Sequence, residues 1–400
     1  MTFFTFSPYS LDMARILTGI YIVSAFSDFT TAFALLSNDG ACPSSLFVES
    51  TTFSLFFASK HIYWTYALHI MGMFAGTALA FGYNTKIACM ASYILLYSMF
   101  ERNYLIMHSF DDLTLGLLMW GSLGLPWSNV WSYEVITANT KEIQNDITTI
   151  CLWAQISMMY YLTASTKTHI SWKNGDAMIF ALENTCLTYP FVDYLLMWPS
   201  SVWLFQWLGS LVIPFEYCVG MILFIAVCSY TNRKLATVLV AAVVSLHIGI
   251  LALMRLPNVS TINIIVLIPF FPSWPVRAVE TKIPETRPKP ILPRLVSFFL
   301  ILTLAYATFK PNIGRWPALN TFCRWAHFHQ EYKVFAPRPP TYDLALTFPA
   351  ILKNGRRIDV LKASYGKIYE PYSEIDHPCS VEDSVCLVTY DMGYRFEPFG

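Results

Sequence analysis

Lys167 closes an apolar run, Ile147 to Thr166, and stands five residues ahead of Trp172. An ammonium at the mouth of a membrane helix is costly to desolvate. One kept beside aromatic rings is a candidate for a perturbed pKa and hence for proton abstraction. The stretch from Tyr160-Tyr161 through Lys167 to Trp172-Lys173-Asn174-Gly175 is the most distinctive local pattern in the chain. Position alone also permits a second reading, a snorkelling lysine that anchors a helix end. His247 sits inside another apolar run, Val243 to Gly249. A neutral imidazole there can bind a carbonyl or relay a proton, or can simply be satisfied by a neighbouring helix. Asp111 and Asp112 open a further run, and a role as N-cap and first-turn acid accounts for one of them more readily than for both. Arg15 and Asp28 read as a buried ion pair, and Glu216, just after Pro214, as an acid partner to one of the bases. His69 is a weaker candidate of the same kind.

Something apolar must position these groups. Of 400 residues, 55% are hydrophobic and 13% charged, whereas about 25% charge is usual in a soluble domain. The formal net charge is zero, which gives no support for a nucleic-acid partner. Runs of spanning length lie at about Leu11–Leu36, Ile62–Tyr83, Ile87–Phe100, Leu113–Trp127, Ile147–Thr166, Val202–Tyr230, Leu235–Met254, Ile262–Trp274 and Leu295–Phe309. The segment Ala177–Trp198 is aromatic but interrupted by Glu183, Pro190 and Asp193, so it is expected to be re-entrant or interfacial. The expected fold is an all-α polytopic membrane bundle of about nine transmembrane helices, residues 1–310, with a small β-containing exoplasmic C-terminal tail, residues 311–400. No basic n-region precedes the first run, so the mature protein is expected to start at Met1.

Basic residues orient this bundle. Arg233 and Lys234, the Pro-rich link holding Arg277, Lys282, Arg287, Lys289 and Arg294, and Lys86 all fall on one side, expected to be the cytoplasm. The N-terminus then lies on the cytoplasmic side. The mouths near Asp112 and Lys167 and the tail lie on the exoplasmic side, whether periplasmic, extracellular or ER-lumenal. In the tail, Asp343–Phe348 and Arg357–Leu361 read as a hairpin around Asn354-Gly355. Cys42, Cys323, Cys379 and Cys386 fall on the same side. Cys379–Cys386 and Cys42–Cys323 bridges and free thiols are alternatives that sequence leaves open. No phosphate loop, zinc-protease helix, Cys-x-x-Cys or nucleophile elbow occurs, so the chemistries built on those motifs have no support.

Taken in order, several motifs resemble the horizontally transferred transmembrane (HTTM) domain family, which contains vitamin K-dependent gamma-carboxylase and bacterial relatives. They are Gly82-Tyr83-Asn84-Thr85-Lys86, Glu101-Arg102-Asn103, Asp111-Asp112-Leu113, Leu125-Pro126-Trp127, the Gln155–Gly175 run, Leu246-His247-Ile248-Gly249 with Phe270-Phe271-Pro272, and Gln330–Pro337 with Asn354-Gly355. The likeness covers roughly residues 10 to 360. It implies Lys167 as the base on a quinone or hydroquinone cofactor and His247 as a shaping or oxyanion-stabilising group in the same pocket. Asp111 or Asp112 would polarise cofactor or substrate. Trp172, Tyr160, Tyr161, Arg102 and Asn103 are the candidate cofactor-binding residues, and no metal is expected. Two departures matter. The family's Asn-His pair is replaced by Ser109-Phe110-Asp111-Asp112, and a short tail replaces the large lumenal domain. Propeptide-directed glutamate carboxylation is therefore not expected, and a secreted peptide or small acceptor is the expected substrate. The alternative is a non-enzymatic scaffold, chaperone or immunity component of a peptide-secretion system. That reading expects Lys167 and His247 substitutions to be mild.

Overall fold

The computed structural model describes residues 8–38, 53–103, 111–125, 127, 131–133, 147–184, 187–228, 233–270, 298–299, 301–302, 335–337, 339, 349–351 and 357–359. Eleven helices and one hairpin organise them. Helix α1 (Pro8–Ser27) runs through one short helical turn into a π-helical stretch, Ala32–Leu36. Helices α2 (Ile62–Phe81) and α3 (Thr85–Arg102) follow, then α4 (Asp111–Leu123) and α5 (Ile147–Thr166). The bounds of α5 are those expected from its apolar run. Three short helices come next, α6 (Ile170–Asn174), α7 (Asp176–Glu183) and α8 (Phe191–Leu196). Two of the three expected interruptions are observed, since Glu183 ends α7 and Pro190 caps α8, whereas Asp193 lies within the first turn of α8, where an acid suits the helix dipole. The long α9 (Pro199–Cys228), α10 (Arg233–Leu253) and α11 (Pro257–Leu267) complete the helices.

α1 and α2 pack closely because Gly19 faces Gly76. A Cβ on Gly19 would come within 2.6 Å of the Gly76 carbonyl oxygen, so the backbones meet where no side chain intervenes. Arg15 fixes the far end of the same pair. Its guanidinium donates to the Leu79, Ala80 and Trp131 carbonyls at 2.5 to 2.6 Å. Its carboxylate partner is Asp12, at 3.7 Å, in place of the expected Asp28, which is exposed. The correction has a simple cause: residues three apart share a helix face, whereas thirteen residues of helix separate two side chains by about 20 Å.

The main core joins α1 to α5 with Val219 of α9, Val240 and Val243 of α10, and Ile262, Ile265 and Val266 of α11. A second core gathers Ile179, Leu182, Leu187, Val192, Phe205 and Met254, with Phe335 packed against it. Many buried side chains are polar, among them Asp12, His69, Arg102, Asp111, Gln155, Lys167, Glu216 and His247. Many outward ones are large and apolar, including Met71 and Phe74 on α2, Ile87 and Ile94 on α3, and Trp203, Trp207 and Leu211 on α9. One helix among the described residues, Pro199–Met221, is long and apolar enough to cross a membrane by length and composition.

In the tail, Pro349–Ile351 (β1) and Arg357–Asp359 (β2) pair antiparallel, Ala350 opposite Ile358. This leaves five residues, including Asn354-Gly355, between Ile351 and Arg357. The first strand lies beyond the expected Asp343–Phe348, nearer the turn. The expected ninth span is described only at four residues. The basic 277–294 link and Cys42, Cys186, Cys323, Cys379 and Cys386 lie outside the described residues. Cys89 and Cys218 are free thiols.

Candidate functional site

Tyr160, Thr163 and Lys167 follow one another at spacings of three and four, so they share a face at the end of α5. That face meets α9. The approach is close at Gly220, where an added Cβ would lie 3.0 Å from the Ser157 carbonyl oxygen. Two residues before Glu216, Pro214 removes an amide donor from the middle of α9. Lys167 lies one residue past α5 yet is 6% exposed, and Glu216 is 7% exposed. The Lys167 Nζ donates to Glu216 Oε2 at 2.7 Å and Oε1 at 2.9 Å, and to the Thr163 carbonyl at 3.3 Å. Trp172 of α6 covers the amine, with Nζ 5.2 Å from the ring centroid. Burial pushes the Lys167 ammonium below the ordinary lysine range, and the Glu216 carboxylate opposes that shift.

The cluster continues about two turns down α5. The Tyr160 hydroxyl lies 3.0 Å from His247 Nε2 of α10 and donates to Asn263 Oδ1 of α11 at 3.5 Å. Asn263 Nδ2 donates to the Val259 carbonyl at 2.7 Å, which fixes the amide with its oxygen towards Tyr160. All three groups are satisfied together only when His247 donates from Nε2 to the tyrosine oxygen. Nδ1 then carries a bare lone pair. Among the described residues it is buried without a hydrogen-bond partner, as is the indole Nε1 of Trp172. The two halves of the cluster are joined along one face of α5.

The roof is set by Gly175, between α6 and α7, at φ +84°. A Cβ there would overlap the Gln206 carbonyl oxygen of α9, so only glycine permits this approach. Gln206 Nε2 donates to Asp176 Oδ1 at 3.1 Å across the same joint. His169 caps α6 by accepting from Ser171 N, and its own amide donates to the Pro337 carbonyl at 3.3 Å. Residues 335–337 thus dock two residues from Lys167.

Of the residues expected from sequence, Lys167, Trp172, Tyr160 and His247 come together, with Glu216. Tyr161 does not join them. Its ring turns outward and packs edge-on against Tyr217 at 5.3 Å, and it is 40% exposed. Asp111, Asp112, Arg102 and Asn103 are also buried, and the partners seen for Asp111, Arg102 and Asn103 among the described residues are elsewhere. Both aspartates occupy the first turn of α4, where the helix dipole favours them, and Tyr21 Oη donates to Asp111 at 3.4 Å. Arg102 and Asn103 instead donate to the Ser37 and Leu35 carbonyls, holding the end of the π-helical stretch. Sequence reasoning passed over Thr163 and Asn263. The second carried a signal, an amide set between Ile262 and Ile264 in α11. Comparison with protein-family models, curated proteins and solved structures gives no match.

Proposed function

We propose that the chain is a multi-pass membrane enzyme with a carboxylase-like core, in which Lys167 acts as general base beside a quinone-like apolar cofactor. The observation that carries this reading is the buried Lys167–Glu216 pair under Trp172, on the same face of α5 as a tyrosine–histidine contact. Charged groups inside an apolar bundle cost stability, so their retention points to chemistry. The inward polar and outward apolar side chains support a bilayer as the surrounding solvent. The resemblance to the HTTM family supports nine spans with a cytoplasmic N-terminus and an exoplasmic tail.

Two polar atoms offer themselves to a quinone-like group: Trp172 Nε1 is a buried donor and His247 Nδ1 a buried acceptor, and neither has a partner among the described residues. A ligand carrying a carbonyl and a hydroxyl at the matching separation would satisfy both. Such a cofactor supplies a redox-active ring with an ionisable hydroxyl. Lys167 would take the proton from cofactor or acceptor, and His247, held by Tyr160 and Asn263, would orient the ligand by accepting its hydroxyl at Nδ1, a role that replaces the expected oxyanion stabilisation. Trp172 excludes water above the amine. The docked 335–337 segment supports a tail that covers the mouth and receives a secreted peptide or small acceptor.

Mass spectrometry of co-purified lipids and quinones tests this. A quinone retained by the wild-type protein and lost in His247→Leu is expected, and Lys167→Ala should lose turnover of that compound while still inserting. Full turnover in reconstituted Lys167→Ala would rule out the base. A co-purifying peptide with no cofactor would favour the scaffold.

A further inference from the structure

We propose that Glu216 is the proton store for Lys167: the free amine forms when an ammonium proton crosses the 2.7 Å contact to Glu216, with no release to water. This rests on the reading of Lys167 as a base. Three acceptors surround Nζ: the two Glu216 oxygens and the Thr163 carbonyl. In the ionic pair the three ammonium N–H groups fill all three, and the nitrogen offers no lone pair to a substrate. In the neutral pair Glu216 donates its O–H to the amine and the two amine N–H groups take the other oxygens, so the same contacts serve both states and solvation decides between them.

A base must first lose that proton, and the surroundings name its destination. A backbone carbonyl such as that of Thr163 does not hold a proton. The Tyr160 hydroxyl is engaged with His247 and Asn263, and the His169 ring with Ser171. Trp172 closes the other side. Among the described residues, Glu216 is the one hydrogen-bonded group at Nζ able to hold the proton. In the transfer one Nζ–H bond breaks, its electron pair stays on nitrogen, and an O–H bond forms on Glu216. No charge enters or leaves the pair. The neutral pair needs less solvation than the ionic one, so expelling water moves the proton towards Glu216. An apolar occupant beside Trp172 thereby turns the base on. When the amine then takes a proton from its acceptor, the pair carries one net positive charge opposite the anion produced.

Infrared spectroscopy of the full chain in phosphatidylcholine films, dried in steps, reads the proton directly and needs no ligand. Subtracting the Glu216→Gln spectrum from wild type should show a carboxylic-acid carbonyl band that grows as water is removed, while the carboxylate band falls in step. In Lys167→Ala the acid band should be present at every hydration, because a lone buried carboxylate takes up a proton. A wild-type difference showing only carboxylate at all hydrations would overturn the proposal. If Glu216→Gln does not insert, 13C-carboxyl glutamate labelling with Glu216→Asp isolates the same band. The two readings fail separately. Proton transfer in the film with undiminished turnover in Lys167→Ala overturns the base alone. A fixed carboxylate with an inactive Lys167→Ala overturns the store alone.

Discussion

At the scale of single residues, the pair at Lys167 and Glu216 is expected to behave as a unit. Removing one partner leaves a buried charge that must be neutralised, so Lys167→Met or Glu216→Leu alone should cost about 3–5 kcal/mol. The Lys167→Met/Glu216→Leu double variant should cost clearly less than the sum, because no charge is left behind. Reversible unfolding in mixed micelles measures this cycle, and additive costs would mean the two side chains are not coupled. Tyr160→Phe removes the group that satisfies both His247 Nε2 and Asn263 Oδ1. The same assay should show a loss of about 1–3 kcal/mol. An unchanged stability would show that water already serves those atoms.

Elements, not residues, decide how close the roof sits. Gly175→Ala combines a positive φ with a Cβ that overlaps the Gln206 carbonyl oxygen. Neither strain can relax without separating α6 and α7 from α9. The expected loss is about 3 kcal/mol or more, with Trp172 fluorescence shifting as the amine's cover opens. Gly249 on α10 is the control, since an added Cβ there meets nothing within 4 Å. Gly249→Ala should be neutral or stabilise by about 0.5–1 kcal/mol. Equal losses at both glycines would remove the case for a tight α7–α9 joint.

For the whole molecule, the proposed arrangement makes a prediction about sides. A reporter placed in the 82–84 turn should read as cytoplasmic and one following Asn354 as exoplasmic. Both on one side would require an even number of crossings between them and would refute the nine-span layout. Much of this scale was readable in the chain. α5 occupies its apolar run to the residue, and Pro190 stands at the start of α8, where its missing amide costs no helical hydrogen bond.

The sequence by itself determined what is periodic or local: which runs are helical, where they break, and that Lys167, His247 and Glu216 are charges or polar groups in costly surroundings. It could not decide which of these meet, because hydrophobic periodicity records that a face is covered and not by what. Tyr160 and Tyr161 show the limit. They are adjacent and alike, but about 100° of helical rotation separates them. Only the placement of α9, α10 and α11 turned one towards His247 and the other towards Tyr217. The Lys167–Glu216 contact spans 49 residues of sequence. It exists because two helices approach closely at Gly220, which is a property of packing and not of either segment alone.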